Sequence, residues 1–339
     1  MAARQGQKIK ILALLDILRR ETDEEHPLNA TELCEKLEEM GITAERKSVY
    51  GDIEELVGYG MDIICTRTPR RGFFMASRTF EKPEIFLLSD AVRSADFIST
   101  KKARELVKKL GGMMSVYEEK RQRNLVYFDR PERGANEELY YLIDGINTAI
   151  EQGKKIRFGY TTRVLADGRN LENRTKKMTV SPYAMTWQDD HYYLIANHEK
   201  YDNLSHYRID RMHGVEVLDE TTRPFCEVSP YTDAFDVADY TAKRFGMYTG
   251  EAQEITLRCH RKIIEQVVDR FSAKIFIQNV DEEHFCFSSK AVISDALVTW
   301  LIHYGDAVEV LAPESLKERM VARAEQVLAV YSGNGEKKS

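Results

Sequence analysis

Hydrogen-bond donors lie on one face of a short segment whose apolar residues have the spacing of a helix. Val49, Ile53 and Leu56 recur at helical intervals between residues 45 and 57. The opposite face, near the start of the segment, carries side chains that can donate to base edges and phosphates: Arg46, Lys47, Ser48 and Tyr50. Such donors at the beginning of an exposed helix are what contact with the DNA major groove requires. The segment is therefore a candidate recognition helix.

The elements around this segment predict a winged helix-turn-helix in residues 1–80. Two helical patterns precede it, the second beginning at the cap-type residues Asn29 and Thr31. Residues 61–76 have the pattern of a β-hairpin with Arg70 and Arg71 at its tip, where arginine can reach phosphates or the minor groove. We therefore predict that Thr31 and both tip arginines also contact duplex DNA. The alternative is ordinary solvated surface, since residues 1–80 contain 12 basic and 14 acidic side chains.

A local concentration of positive charge marks the middle of the chain. Residues 154–177 contain eight basic and two acidic side chains, although the whole chain has a net charge of −6. The apolar period changes there from helix to strand. Short strands joined by turns predict a small antiparallel β-barrel or sandwich in residues 153–240, with a polar loop before Met178 and Val180.

Tyrosine and arginine side chains in this region could hold an anionic ligand. Arginine forms bidentate contacts with phosphate or carboxylate groups, and tyrosine rings can stack on bases. The predicted ligand-binding residues are Tyr160, Arg163, Ser181, Tyr183, Tyr193, Arg208 and Arg211. The alternative is structural, because alternate tyrosines in strands usually pack in a core and Arg208 or Arg211 can pair with carboxylates. The candidate carboxylates are Asp189, Asp202 and Asp210.

Helical and mixed patterns complete a multidomain α+β chain. Residues 81–152 are mainly helical, interrupted at Pro131 and Gly134, and are expected to form a connector that dimerises. Residues 251–333 alternate strands and helices in the order βαββαβ, which predicts a ferredoxin-like domain.

Several function classes find no support in the 339 residues. No zinc-protease, Walker-type, dinucleotide-binding or serine-hydrolase motif occurs, so we predict no enzyme, no catalytic residue and no cofactor. Cys259-His260 and His284-x-Cys286 resemble metal ligands, but core packing is the preferred interpretation and no metal is predicted. Five scattered cysteines, no signal-peptide pattern and no apolar segment of membrane length predict a cytoplasmic protein without a membrane partner.

The N-terminal segment resembles a known family of regulators. Residues 7–76 are similar to the winged domain of DeoR-like bacterial regulators. The matching pattern is Ser48-Val-Tyr-Gly-Asp-Ile53 of the recognition helix, and Gly51 stands where the family often has Arg.

The rest of the chain resembles two further modules. Residues 156–218 resemble the WYL domain, with Tyr192-Tyr193-Leu194 in the place of the namesake tripeptide. The surrounding matches are Ser181-Pro-Tyr183, Trp187 and Tyr207-Arg-Ile-Asp-Arg-Met212. From Ala252 onwards the chain resembles the C-terminal extension that often follows WYL domains. The matches there are Ala296-Leu-Val-Thr-Trp300 and Val308-Glu-Val-Leu-Ala-Pro313.

These resemblances imply a ligand-responsive transcriptional regulator that binds double-stranded operator DNA. The WYL resemblance implies an Sm-like barrel that senses an anionic effector, such as a nucleotide or single-stranded nucleic acid. A homodimer is expected because a single winged helix buries little DNA surface. Repression is preferred to activation because occluding a promoter needs no further contact surface. The alternative is a nucleic-acid-binding accessory module without operator-specific DNA binding.

Overall fold

Two compact units make up the chain, Met1–Glu137 and Glu138–Ser339. The computed structural model describes residues 2–95, 97–124, 138–166, 170–231, 235–272 and 275–332. The expected helix break at Pro131 and Gly134 lies outside the described residues, as does Arg169 of the basic stretch. Within the described ranges, no helix has both the length and the apolar character needed to cross a membrane.

The described part of the first unit contains six helices and a two-stranded sheet. In chain order these are α1 (Ala2–Glu21), α2 (Ala30–Glu39), α3 (Arg46–Gly58), β1 (Ile63–Thr66), β2 (Gly72–Met75), α4 (Lys82–Ser94), α5 (Thr100–Gly111) and α6 (Val116–Asn124). A capping box fixes the start of α2, since the Asn29 side chain accepts from the Glu32 backbone amide while the Glu32 carboxylate accepts from that of Asn29. Three helices followed by a hairpin is the order that the sequence predicts.

The apolar faces of the first three helices meet in one core. Leu14 of α1, Leu33 of α2 and Val49 of α3 are fully buried in it. Ile53 and Leu56 are buried in the same core, as the helical spacing predicts. The polar face of α3 is therefore the face left towards solvent.

The β1–β2 hairpin is joined to the segment before α2 by backbone contacts. Leu28 and Phe73 exchange two backbone hydrogen bonds, of 3.0 and 2.7 Å. A Cβ atom at Gly72 would lie 2.8 Å from the carbonyl carbon of Leu28, so a side chain at this position would force the two backbones apart. Glycine at residue 72 thus permits the close approach that anchors the hairpin.

The second unit begins with a helix and a five-stranded antiparallel sheet. Its elements are α7 (Leu139–Gln152), β3 (Lys154–Ala166), β4 (Asn170–Gln188), β5 (His191–Asn197), β6 (Ser205–Arg208) and β7 (Met212–Thr221), and the strand order is β6-β5-β4-β3-β7. Helix α7 packs on β7 and β3. Ile156, Phe158 and Val180 are buried in the sheet's core.

The sheet is curled, because its two edge strands are joined directly. A short 3₁₀ turn, Ile209–Arg211, connects β6 to β7. Four residue steps span at most about 14 Å, whereas the edge strands of a flat five-stranded sheet lie about 19 Å apart. The two edges must therefore approach each other, as they do in a small barrel.

Strands β3 and β4 continue beyond the curled sheet as a two-stranded ribbon. Strand β7 pairs with β3 only as far as Tyr160, but β3 and β4 remain paired through Ala166 and Asn170. The predicted polar loop before Met178 is therefore wrong. The hydroxyls of Thr161 and Thr175 lie 2.7 Å apart across the ribbon, and such cross-strand pairs hold a polar segment extended where the apolar alternation is weak.

The remainder of the second unit contains a four-stranded antiparallel sheet. Helix α8 (Val237–Ala242) precedes it, and the following elements are β8 (Ala252–His260), α9 (Ile264–Phe271), β9 (Ile277–Asn279), β10 (His284–Val292), α10 (Asp295–His303), β11 (Val308–Ala312) and α11 (Glu314–Tyr331). The strand order β11-β8-β10-β9 and the sequence order βαββαβ are those of a ferredoxin-like domain. Leu257, Phe285 and Leu297 lie in its core.

Candidate functional site

The exposed face of α3 carries the donors that the sequence places there. Arg46, Lys47 and Tyr50 are exposed, and Ser48 is half-buried. The Tyr50 ring meets the Phe73 ring edge-on, with centroids 5.7 Å apart. This contact joins the middle of α3 to the β1–β2 hairpin, so the two elements form one surface.

A buried ion pair positions α3 against α1. Lys10 Nζ lies 2.7 Å from the Asp52 carboxylate, and both side chains are about nine-tenths buried. The Lys10 ammonium also donates to the Ser48 hydroxyl. The Ser48 hydroxyl therefore already accepts a hydrogen bond inside the protein. Lys10 makes no such contact with Arg46 or Lys47 in the described structure.

The hairpin tip is held near the start of α2. Arg70 donates to the Glu32 carboxylate at 2.6 Å, and Thr31, the neighbouring residue, is exposed. Arg71 is exposed at the same tip. The Arg70–Glu32 pair brings the hairpin tip close to Thr31, and the Tyr50–Phe73 contact adds α3 to the same surface.

In the curled sheet, three of the predicted ligand residues come together. Tyr193 of β5 and Arg208 of β6 are direct register partners. The Tyr160 hydroxyl accepts a hydrogen bond from the Arg208 backbone amide at 3.3 Å. Tyr160 also meets the buried Tyr207 edge-on, with ring centroids 5.5 Å apart. Tyr160, Tyr193 and Arg208 are hereafter the barrel cluster.

The guanidinium of the barrel cluster is already paired. Arg208 Nε and Nη2 donate to the two carboxylate oxygens of Asp210, at 3.0 and 2.7 Å. This bidentate contact raises the pKa of Arg208. Each side chain of the pair is 23% exposed, so an anionic ligand could still approach but would compete with Asp210.

Burial governs the ionisation of the tyrosines around the cluster. It raises the pKa of the Tyr193 hydroxyl, which the nearby Arg208 charge lowers to a smaller extent. It raises the pKa of Tyr207 to about 12. Both phenols are therefore neutral hydrogen-bonding groups near neutral pH.

Ser181 and Tyr183 lie in a different environment. The Ser181 hydroxyl accepts from the Arg223 backbone amide at 3.0 Å, and the Tyr183 hydroxyl donates to the Arg223 carbonyl at 2.8 Å. The Tyr183 ring packs edge-on against Phe225. These contacts attach the segment after β7 to β4. Tyr183 therefore has the structural packing role that was the alternative to ligand binding for the strand tyrosines.

Arg163 and Arg211 do not join the barrel cluster by any described contact. Arg163 is exposed on the β3–β4 ribbon and, by strand alternation, lies on the opposite sheet face from Tyr160. Arg211 is exposed in the turn between β6 and β7.

Arg223 is a polar residue that the sequence patterns did not single out. Its side chain pairs with Asp202 at 3.0 Å and with Glu227 at 3.1 Å. The sequence offers Asp202 as a partner of Arg208 or Arg211, whereas the structure pairs it with Arg223. The Arg223 and Glu227 spacing of four residues was a local signal for one of these pairs.

Nothing in the described residues is arranged as a metal centre. No group of three or more His, Cys, Asp or Glu side chains in that part of the chain could hold a metal ion. Cys259 is buried in the core of the four-stranded sheet, and burial raises the pKa of its thiol to about 12.

Two solved structures are similar to parts of the chain. Proteasome accessory factor B/C of Arthrobacter aurescens aligns at a TM-score of 0.28 and 15% identity, covering 96% of this chain and 49% of that one, so this chain spans about half its length. A CRISPR Cas-related protein aligns at a TM-score of 0.37 and 13% identity, covering 77% of this chain and 76% of that one. We draw no functional conclusion from likenesses at these scores. No curated protein sequence matches the chain.

Two family models match the second unit. One, for the WYL domain, matches residues 142–217, which run from α7 into β7. The other, for the WCX domain, matches residues 251–328, which include the whole four-stranded sheet. The resemblance of residues 156–218 to the WYL domain is thereby confirmed. The chain contains a WYL domain followed by a WCX domain.

Proposed function

We propose that the chain is a ligand-responsive, DNA-binding transcriptional repressor. In this proposal residues 1–80 act as a DeoR-like winged helix-turn-helix, residues 81–152 help to form a homodimer, and the WYL domain senses an anionic effector. The WYL domain supports a regulatory role connected with nucleic acids. The effector would be a nucleotide or single-stranded nucleic acid, and its binding would change the affinity for operator DNA.

The surface formed by α3 and the β1–β2 hairpin carries the DNA-binding part of this proposal. Arg46 and Lys47 extend from one end of α3 while its other face is buried. Arg70 and Arg71 lie at the hairpin tip, which is joined to the same surface. Side-chain donors on an exposed helix can form hydrogen bonds with base edges in the major groove. Arginines on a flanking hairpin can form ion pairs with the DNA phosphates.

The test is a gel-shift assay with the DNA upstream of the protein's own gene. The triple variant Arg46→Ala, Lys47→Ala, Tyr50→Ala should bind duplex DNA with an affinity at least tenfold lower. It removes two charge-assisted donors and one aromatic contact. The matched control is Lys108→Ala with Lys109→Ala, which removes two exposed charges from α5 of the same unit. This control should bind as the unchanged protein does.

A second arm separates effector binding from DNA binding. Arg208→Ala with Arg211→Ala should retain duplex affinity but lose the response to added nucleotides or short single strands. Undiminished duplex binding by the triple variant would instead favour the accessory module without operator-specific DNA binding. If the double variant keeps its effector response, the barrel cluster is not the sensing site.

A further inference from the structure

A cavity of about 610 Å³ opens in the second unit, where the segment between the WYL and WCX domains meets residues of both. Its charged and aromatic lining residues are Tyr231, Tyr240, Lys243, Arg244, Glu251 and Lys290. None of the seven ligand residues predicted from the sequence lines it. Its size lies within the range of small-molecule sites in proteins.

Backbone contacts hold the two sides of the cavity together. The Val292 amide donates to the Lys243 carbonyl at 2.8 Å, and the Ile293 amide donates to the Glu251 carbonyl at 3.2 Å. A Cβ atom at Gly250 would lie 2.8 Å from the Val292 side chain. The segment from α8 to β8 is thus fastened to the end of β10, and this brings its cations towards Lys290 of that strand.

Arg244 is the least compensated charge in the cavity wall. Its guanidinium carbon lies 3.5 Å from the centroid of the Tyr240 ring, and Nη1 donates to the Tyr240 carbonyl at 3.0 Å. Its Nε is buried without a hydrogen-bond partner, and no ion pair joins it to a carboxylate of the described residues. A half-buried cation without an ion-pair partner favours an anion bound beside it.

The neighbouring charges leave a positive excess. Lys243 pairs with Asp239, which also accepts from the Tyr231 hydroxyl. Lys290 is exposed at the cavity rim. The lining contains three cationic side chains and one carboxylate, Glu251, and Asp239 neutralises Lys243, so the excess is one positive charge.

We propose that this cavity binds a small phosphate monoester of about nucleotide size, with its dianionic phosphate between Arg244 and Lys290. A phosphate monoester carries about −1.5 to −2 charges at neutral pH, and Arg244 and Lys290 supply two cationic side chains to hold it. The two cations lie on the segment after α8 and on β10, so the bound phosphate would join the segment between the two matched domains to the WCX domain. This site goes beyond the proposed function and does not depend on DNA binding by the first unit.

The experiment titrates the full chain with AMP by isothermal titration calorimetry, with inorganic phosphate and adenosine as separate arms. AMP should bind, inorganic phosphate should bind more weakly, and adenosine should not bind. Lys290→Glu should weaken AMP binding at least tenfold, because it replaces an attractive charge with a repulsive one. Lys290 is exposed, so this change spares the core.

The matched control is Lys262→Glu, which reverses an exposed charge just after the opposite end of β8. It should bind AMP as the unchanged protein does. Arg244→Lys is a second variant that keeps the charge but loses the planar donors, and it should weaken AMP binding by a smaller factor. Circular dichroism identifies any variant that does not fold.

The proposal is overturned if Lys290→Glu binds AMP normally, or if Lys262→Glu weakens binding as much. It is also overturned if adenosine binds as well as AMP, since the phosphate would then contribute nothing. Binding of single-stranded oligonucleotides without binding of AMP or phosphate would exclude the small ligand. Loss of AMP binding in Arg208→Ala instead would locate the ligand at the barrel cluster.

Discussion

The His206 imidazole lies against the aromatic packing beneath β6. Its Nε2 is 2.9 Å from the Tyr240 hydroxyl. Burial, and secondarily the Arg244 charge, lower the pKa of His206 from 6.5 to about 4. The folded protein therefore holds this ring neutral at pH values where an unfolded chain would bind a proton.

We expect His206 to make the second unit acid-sensitive. Its contribution to stability is fully present above pH 6.5 and is lost as the pH falls from 6.5 towards 4. The loss from this group is about 1.4 kcal/mol at pH 5.5. His206→Gln should remove this component. Urea unfolding followed by tryptophan fluorescence measures it, because both tryptophans, Trp187 and Trp300, lie in the second unit.

The comparison between His206→Gln and the unchanged protein isolates the effect of this ring from other titrating groups. The variant should show a smaller decrease in the free energy of unfolding between pH 7 and pH 5.5. Equal decreases in the two proteins would show that His206 is not held neutral by the fold.

At the scale of single residues, the sequence shows which side chains can bind a ligand or form ion pairs, but it does not show which side chains contact each other. Asp210 could be recognised as a possible partner of Arg208, but the bidentate contact depends on the turn after β6. Tyr183 and Tyr193 looked equivalent in sequence, yet only Tyr193 lies opposite Arg208. Lys243 lies in the segment between the two matched domains and Lys290 lies in the WCX domain, so no spacing indicates that they share a cavity.

Gly51 interrupts the exposed face of α3. It lies within the helix, and a Cβ atom added there would meet nothing within 4 Å. Gly51→Ala should therefore raise the free energy of unfolding of the first unit by about 0.5–1 kcal/mol, through helix propensity alone. Far-ultraviolet circular dichroism during urea unfolding measures the change, with tryptophan fluorescence reporting the second unit separately.

Gly60 offers a matched control for that substitution. Its surroundings are equally open, but its φ of +107° is a conformation that side chains disfavour. Gly60→Ala should therefore destabilise the same unit. If both substitutions change stability in the same direction, the effect at residue 51 does not come from backbone preference.

Whole elements were largely predictable, because apolar period is a local property. The buried faces of α1 to α3 and the βαββαβ order of the last domain follow from residue spacing. The β3–β4 ribbon was predicted incorrectly as a loop. Most of its residues, such as Thr161 and Thr175, are polar, and their pairing across the ribbon holds the two strands extended.

At the scale of the whole molecule, the proposed homodimer can be tested through α4. Leu87 is 72% exposed on this helix, inside the segment expected to dimerise. If apolar contact through α4 holds two copies together, Leu87→Glu should convert the dimer to a monomer, because a buried unpaired carboxylate opposes association. Light scattering coupled to size-exclusion chromatography measures the mass.

Val330→Glu is the control for that substitution. Val330 is 73% exposed on α11, so the substitution introduces the same charge at an equally exposed apolar position. It should leave the dimer intact. The opposite result, a monomer for Val330→Glu and a dimer for Leu87→Glu, would place the interface on the C-terminal helix.

The edges of the two larger sheets restrict how copies of this chain can associate. Strand β6 has four residues and β9 has three, and β11 contains an irregularity between Val310 and Ala312. Short or irregular edges offer few unpaired amides and carbonyls to another chain. At these three edges the joining of sheets between molecules, and the fibrous aggregation that follows from it, is therefore disfavoured. The fourth edge, β7, has ten residues, but the turn Ile209–Arg211 draws it towards β6 of the same curled sheet and away from other molecules.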